Sequence, residues 1–465
     1  MISLRSAMLL LGASALTGCN LAPHYVRSVA ESVPSRWPSG ASYASTAAST
    51  SAGMPWRSLV VDAKLRTVIE QALAHNQDLA AAVANVASAR AQYHVQRSEQ
   101  FPTLSADAGA TITRAVTGGG TASSGSTTLF TGDVGVSGFV IDLFGRQKNL
   151  SKAAFETYLS TASGARSTRF TVVSETATAY LTLAADRDLL QVSQDQVLSS
   201  ERTVRLNEDL HDTGLVSGAD VADARTLLAQ AQADVAQNTT QVAQDRNALE
   251  LLVGGPVEDA LLPTSLGALD AGIANVPAGL SSTVLLDRPD VVEAEHQLKS
   301  ANANVGAARA AFFPTISLTS MLGLASTALT SLFSGSTWSA TPSASIPILG
   351  GTNRGNLDYA RAQVDYYLAT YRKAAQTAYR DVADGLARRG TILRQRRAQV
   401  DLVAAAQKSY SISEARYREG TDSFLTALVA QRTLYSARQT AIAADLTDLT
   451  NRVTLYEAIG SDDSL

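Results

Sequence analysis

The chain has 465 residues, a formal net charge of −4 and 17% charged residues. That balance argues against a polyanionic partner such as nucleic acid, and so low a charged fraction is unusual for a soluble protein. A single cysteine excludes an internal disulfide framework, and the scattered His24, His75, His94, His211 and His296 have no metal-ligand spacing.

Residues 1–18 read as a signal peptide. Arg5 supplies a positive start, an apolar stretch runs from Ala7 to Leu16, small residues follow, and the run is too short to span a bilayer as a helix. Leu16-Thr17-Gly18-Cys19 resembles the bacterial lipobox, whose cysteine is lipidated and becomes the mature N-terminus. Covalent lipid on Cys19 is therefore expected, with a plain free cysteine as the alternative, and no other cofactor. Asn20 stands where an Asp would suggest inner-membrane retention, so the same resemblance implies the outer membrane. Residues 19–63 then form a lipidated arm, Ser/Ala/Pro-rich and aperiodic over 26–53.

The rest of the chain is duplicated. The first repeat, 64–254, predicts a helix over 64–98, strands over 101–116 and 129–144, a long helix over 146–210, a turn at Gly214 and a helix over 219–253. An inter-repeat connection occupies 255–286. The second repeat, 287–460, predicts the same order, with strands over 313–325 and 337–349, a long helix over 353–418 and a turn at Gly420; 461–465 is a tail. "FPTL" at Phe101 recurs as "FPTI" at Phe313, Asp78 matches Asp290, and Gly214 matches Gly420. No proline lies between Pro102 and Pro256 or after Pro347, which leaves both long helices free of breakers. At 1.5 Å per residue each would be roughly 100 Å long, and each needs partners along its length. Gly214 and Gly420 suit left-handed helix ends, and Ser217 with Asp220 resembles a capping box.

The four strand segments alternate apolar and polar residues, and each exceeds the ~9–11 residues a tilted strand needs to cross a bilayer. Asp107 and Asp133 fall on the polar parity. Residues 310–353 carry no charge, and the loops joining paired strands are rich in Gly, Ser and Thr. Two ordinary hairpins packed on helices would show the same period. Four strands cannot close a barrel, and a bilayer tolerates no open edge, so the chain must oligomerise; a homotrimer gives twelve strands.

"VPAGLSSTVLLDRPDVVEAEHQL" from Val276, "IDLFGR" from Ile141 and "CNLAPHY" from Cys19 together resemble the outer membrane efflux protein family, its lipoprotein branch in particular. Pro277, Gly279, Leu280, Ser282, Arg288, Pro289, Asp290, Ala294 and Glu295 match that family's pattern, with Ser281 and Val291 departing from it. The resemblance implies a mainly α chain in a TolC-like trimer. Twelve outer-membrane strands, four from each chain, would surmount a periplasmic helical barrel. It also implies a passive exit duct for small amphiphilic compounds, without catalysis. The expected partners are a periplasmic adaptor, a proton-driven inner-membrane transporter of RND type and outer-membrane lipid. A type I protein-secretion channel is the alternative, and a coiled-coil adaptor lipoprotein a further one.

The periplasmic gate is expected at the helix tips. Related lipoproteins carry an acidic residue where Val429 stands in "LTALVAQR", so a hydrophobic constriction from Leu425 and Val429 is expected instead. Arg432 matches the pattern. Tyr417 and Asp422 flank the turn and are candidates to link neighbouring helices, ordinary coiled-coil packing being the alternative for Tyr417. Asp220 and Asp223 hold the equivalent places in the first repeat.

Overall fold

A computed structural model describes residues 20–27, 33–34, 36–43, 54–114, 126–276 and 281–462. Cys19, the first hairpin loop and the Pro277–Leu280 part of the family motif lie outside the described residues. The chain divides into two compact units: one gathers the segment ending at Arg27 with Asn85–Ala162 and Glu293–Tyr371, the other Ser28–Ala84, Ser163–Val292 and Arg372–Leu465. Each unit draws on both repeats.

The helices are α1 (Trp56–Leu59), α2 (Ala63–His75), α3 (Gln77–Ser98), α4 (Arg146–Asp212), α5 (Gly218–Val253), α6 (Pro289–Ala310), α7 (Thr352–Arg418) and α8 (Phe424–Ile459). The strands are β1 (Leu104–Arg114), β2 (Ser126–Ile141), β3 (Thr315–Ser326) and β4 (Ser336–Ser345). No described helix is long and apolar enough to cross a membrane.

One expectation is corrected. The helix anticipated over 64–98 is two helices, because Asn76 leaves the helical conformation at φ −61°, ψ 130°. Its Oδ1 accepts from the Leu79 amide at 2.9 Å, capping α3, and its Nδ2 donates to the Leu252 carbonyl at 2.9 Å. Gly254, at φ +79°, lies against this break: a Cβ there would stand 2.4 Å from the His75 carbonyl oxygen. The second repeat builds the same joint, with Gly460 at φ +60° against Arg288. There Pro289 opens α6, its missing N–H costing nothing at a first helical position.

The sheet is an antiparallel meander in the order β1-β2-β3-β4, so β1 and β4 are both open edges. Strand ends differ from expectation by a few residues for local reasons. β2 stops at Ile141 because Asp142 turns to cap α4, accepting from the Arg146 and Lys148 amides at 2.7 and 2.9 Å. β4 stops at Ser345, two residues before Pro347, although Pro342 is accommodated within it on the open edge. The β2–β3 register shifts between Val136 and Phe139, with Gly138 at φ +64° in the bulge.

Register sorts the side chains cleanly. Ala106, Val134, Leu322 and Trp338 form one row across all four strands, and Asp107, Asp133, Gly323 and Thr337 form the next. Successive rows face opposite sides of a pleated sheet. The apolar face is thus Leu104, Ala106, Ala110 and Ile112 with Val134, Val136, Leu322 and Trp338, and it is exposed in the single chain; Trp338 is 78% accessible.

Candidate functional site

Both helix tips are built by one motif used twice. After α4 the Gly214 amide donates to the His211 carbonyl at 2.8 Å and the Leu215 amide to the Leu210 carbonyl at 2.9 Å. After α7 the Gly420 amide donates to the Tyr417 carbonyl at 3.0 Å and the Thr421 amide to the Arg416 carbonyl at 2.9 Å. With Gly214 at φ +74° and Gly420 at φ +70°, these are paired Schellman ends. The next helices start alike but not identically. Ser217 and Asp220 make the reciprocal capping box on α5. On α8, Ser423 caps the Thr426 amide, and the carboxylate has moved back to Asp422. Asp422 accepts from the Ser423 amide at 2.8 Å and the Thr426 hydroxyl at 3.0 Å, with Arg416 3.5 Å away. Those contacts hold its carboxyl below the usual carboxylate range.

Tyr417 is buried in the hairpin core with Val204, Ala224, Leu227, Phe424, Ala427 and Leu428. Its ring lies 5.4 Å from that of Phe424, and its hydroxyl donates to Asn207 Oδ1 on α4 at 2.7 Å. Burial raises the phenol pKa, and the charge of Asp220 adds to the effect. Tyr417 therefore both packs in the core and ties α7 to α4. Leu425, Val429 and Arg432, spaced four and three residues apart, form an exposed stripe on α8 opposite the buried Phe424, Ala427, Leu428 and Gln431. Asp223, the counterpart of Val429 in the first repeat, is also exposed, and Asp220 is partly so.

Further links escaped the sequence. The Tyr435 hydroxyl donates to Asp234 Oδ2 on α5 at 2.9 Å and shares a hydrogen bond with Ser193 on α4 at 3.2 Å, while Asn238 donates to Ser193 at 2.6 Å. Gln431 donates to Ser199 Oγ at 3.0 Å. Nothing in periodicity marks a tyrosine or glutamine on an apolar stripe as a bridge.

The matching motifs have structural work. Arg288 grips Asp290 with two bonds of 2.8 Å and donates to the Ala458 carbonyl at 2.7 Å. Glu295, 6% accessible, receives Arg27 and Lys299 at 2.9 Å each and the Tyr25 hydroxyl at 3.2 Å. The early arm thus runs along α6: Arg309 donates to the Leu21 carbonyl at 3.0 Å and Asn302 to the Pro23 carbonyl at 2.8 Å. In the other unit, Arg187 and Arg389 donate to the Pro263 and Val276 carbonyls, pinning the inter-repeat connection. Among the described residues no group of three His, Cys, Asp or Glu side chains is placed to hold a metal.

The model of the family described as "Outer membrane efflux protein" matches residues 68–255 and 280–461. The chain is 42% identical over 452 residues to the antibiotic efflux pump outer membrane protein ArpC of Pseudomonas putida, covering 96% of this chain and 93% of that one. It is 35% identical over 455 residues to the cation efflux system protein CusC of Escherichia coli O157:H7, covering 96% of each. It superposes on the open state of the MtrE outer membrane channel of Neisseria gonorrhoeae with a TM-score of 0.83 at 31% identity, covering 95% of this chain and 98% of that one.

Proposed function

The chain belongs to the outer membrane efflux protein family, and from that premise we propose how this member works. It is the outer-membrane channel of a tripartite efflux system, a non-catalytic conduit that assembles as a homotrimer. It works with a periplasmic adaptor and an RND-type inner-membrane transporter. The observation that carries this is the sheet: an exposed apolar face, a polar face bearing two carboxylates, and two open edges. One chain cannot satisfy the edge amides in a bilayer, whereas edge-to-edge closure of three copies can.

Three finer statements belong to the same reading. The cargo is small amphiphilic compounds, moved by a proton-driven partner; what supports this is the likeness to efflux-pump outer membrane proteins. Cys19 carries lipid; what supports it is the docked arm, whose Leu21 lies against Arg309 near the end of α6, shortly before β3 opens. An acyl chain there would enter the same membrane as the strands. The third statement is that the Leu425 and Val429 stripe narrows the periplasmic end as an apolar constriction.

The test is expression in a strain lacking its own channel of this class. Restored dye export together with a heat-modifiable oligomer that resists urea washing is the expected result. A monomer released by urea, with no restoration, would overturn the assignment. Incorporation of labelled palmitate, abolished in Cys19→Ser, reads the anchor separately.

A further inference from the structure

The four strands contain only three charged residues, Asp107, Arg114 and Asp133. Arg114 ends β1 on the parity of the apolar face, paired with Ser126. The other two are direct cross-strand partners on the polar face. Like charges placed opposite each other weaken a sheet, so this pairing opposes stability. Local structure accommodates it all the same. Ser105 donates to Asp107 Oδ2 at 2.9 Å. The next strand offers Gly323 beside Asp133, where a Cβ would meet Asp133 Oδ1 at 2.0 Å. A side chain at position 323 would displace the carboxylate, and glycine leaves it room.

We propose that Asp107 and Asp133 set the charge preference of the barrel portion of the conduit, favouring cationic over anionic solutes. The inference rests on the barrel reading above and concerns permeation; it needs no resident ion. Closing the sheet with its apolar face outward turns the polar face to the lumen. The two carboxylates of each chain then form one acidic ring, at the level of the row that ends in Thr337. Fixed negative charge around a channel of low-dielectric wall concentrates cations and repels anions over about one Debye length, ~10 Å at 0.1 M salt and ~3 Å at 1 M. The effect must therefore fade with salt. Carboxylates at the tip, the exposed Asp223 among them, stay in place when the strand pair is changed, so the difference between variant and wild type reads the barrel alone.

The experiment is reversal potential in planar bilayers holding the protein purified from membranes, under a potassium chloride gradient. Wild type is expected to prefer potassium. Asp107→Asn with Asp133→Asn, which preserves side-chain size, should lower the potassium-to-chloride permeability ratio by about two-fold or more near 0.1 M, and the difference should vanish near 1 M. Each single Asn variant should give part of the change, so the outcome does not depend on assembly of the double variant. An unchanged ratio at low salt in either single or in the double variant overturns the proposal, as does a wild type without cation preference. If wild type forms no channel at all, the barrel reading falls first and this inference with it.

Discussion

Phe144 and Phe313 stack with ring centroids 4.6 Å apart and planes 19° from parallel, joining the end of the first hairpin to the start of the second. Each belongs to a duplicated junction, one following β2 and one preceding β3. Such a pair contributes about 0.5–1.5 kcal/mol beyond simple burial. Phe144→Ala and Phe313→Ala should therefore be less than additive, with a coupling of that size in a double-mutant cycle read from thermal dissociation of the oligomer.

Gly306 of α6 lies beneath Ala22 of the arm, and a Cβ there would sit 2.8 Å from Ala22 Cα, Cβ and N. Gly306→Ala should favour the helix by about 1 kcal/mol yet expel the arm. Trypsin cleavage at Arg27, which is held by Glu295 at 2.9 Å, should then accelerate. An unchanged cleavage rate would show that the arm does not need the glycine.

Arg452 contacts Asp448 at 2.6 Å, Asp270 at 3.0 Å and the Ile273 carbonyl at 2.8 Å, and Arg396 also reaches Asp448 at 2.8 Å. Burial pushes the Asp270 carboxyl up, but the two guanidinium groups overcome it and hold the pKa below its ordinary value. Arg452→Met leaves buried Asp448 with Arg396 alone and should cost about 1.5–3 kcal/mol, the range for a lost hydrogen bond to a charged group. Denaturant unfolding at neutral pH measures it, with Arg452→Lys expected between the two.

Asp186 of α4 is pushed up to about 7 by burial and by hydrogen bonding and repulsion from Asp245 of α5, whose Oδ1 also accepts from Gln241 at 2.9 Å. With an unfolded value of about 3.9, the folded chain retains a proton between roughly pH 4 and 7 that the unfolded chain has released. Stability therefore falls as pH rises through that window. Asp186→Asn removes the penalty: its melting temperature should exceed that of wild type at pH 8 and match it near pH 4. Equal differences at both pH values would remove the titration from the account.

Val429→Asp places a carboxylate on the exposed stripe of α8, between Leu425 and Arg432. If Leu425 and Val429 narrow the conduit, ion conductance and drug permeation should both change. Unchanged values would exclude position 429 from the constriction.

Periodicity made much of this molecule legible. Alternation at Leu104 to Ile112 announced β1 and its two faces, and proline-free runs announced α4 and α7 almost to the residue. The tip glycines were readable because only a residue without a Cβ occupies φ near +70° cheaply. The break at Asn76 was not readable, since Gln77 to Ser98 continues the helical pattern without proline or glycine. It exists because the α5 terminus at Leu252 and Gly254 packs there.

The amino-acid sequence by itself determined the duplication, the order of helices and strands, and the parity that separates lipid-facing from water-facing side chains. These depend on period and local backbone preference. Only the tertiary structure decided that Asp107 opposes Asp133, that Tyr417 reaches Asn207, and that Glu295 receives the arm. Those pairs depend on register and on which helix lies beside which, and residues 26, 210 and 268 positions apart meet only after the chain has folded.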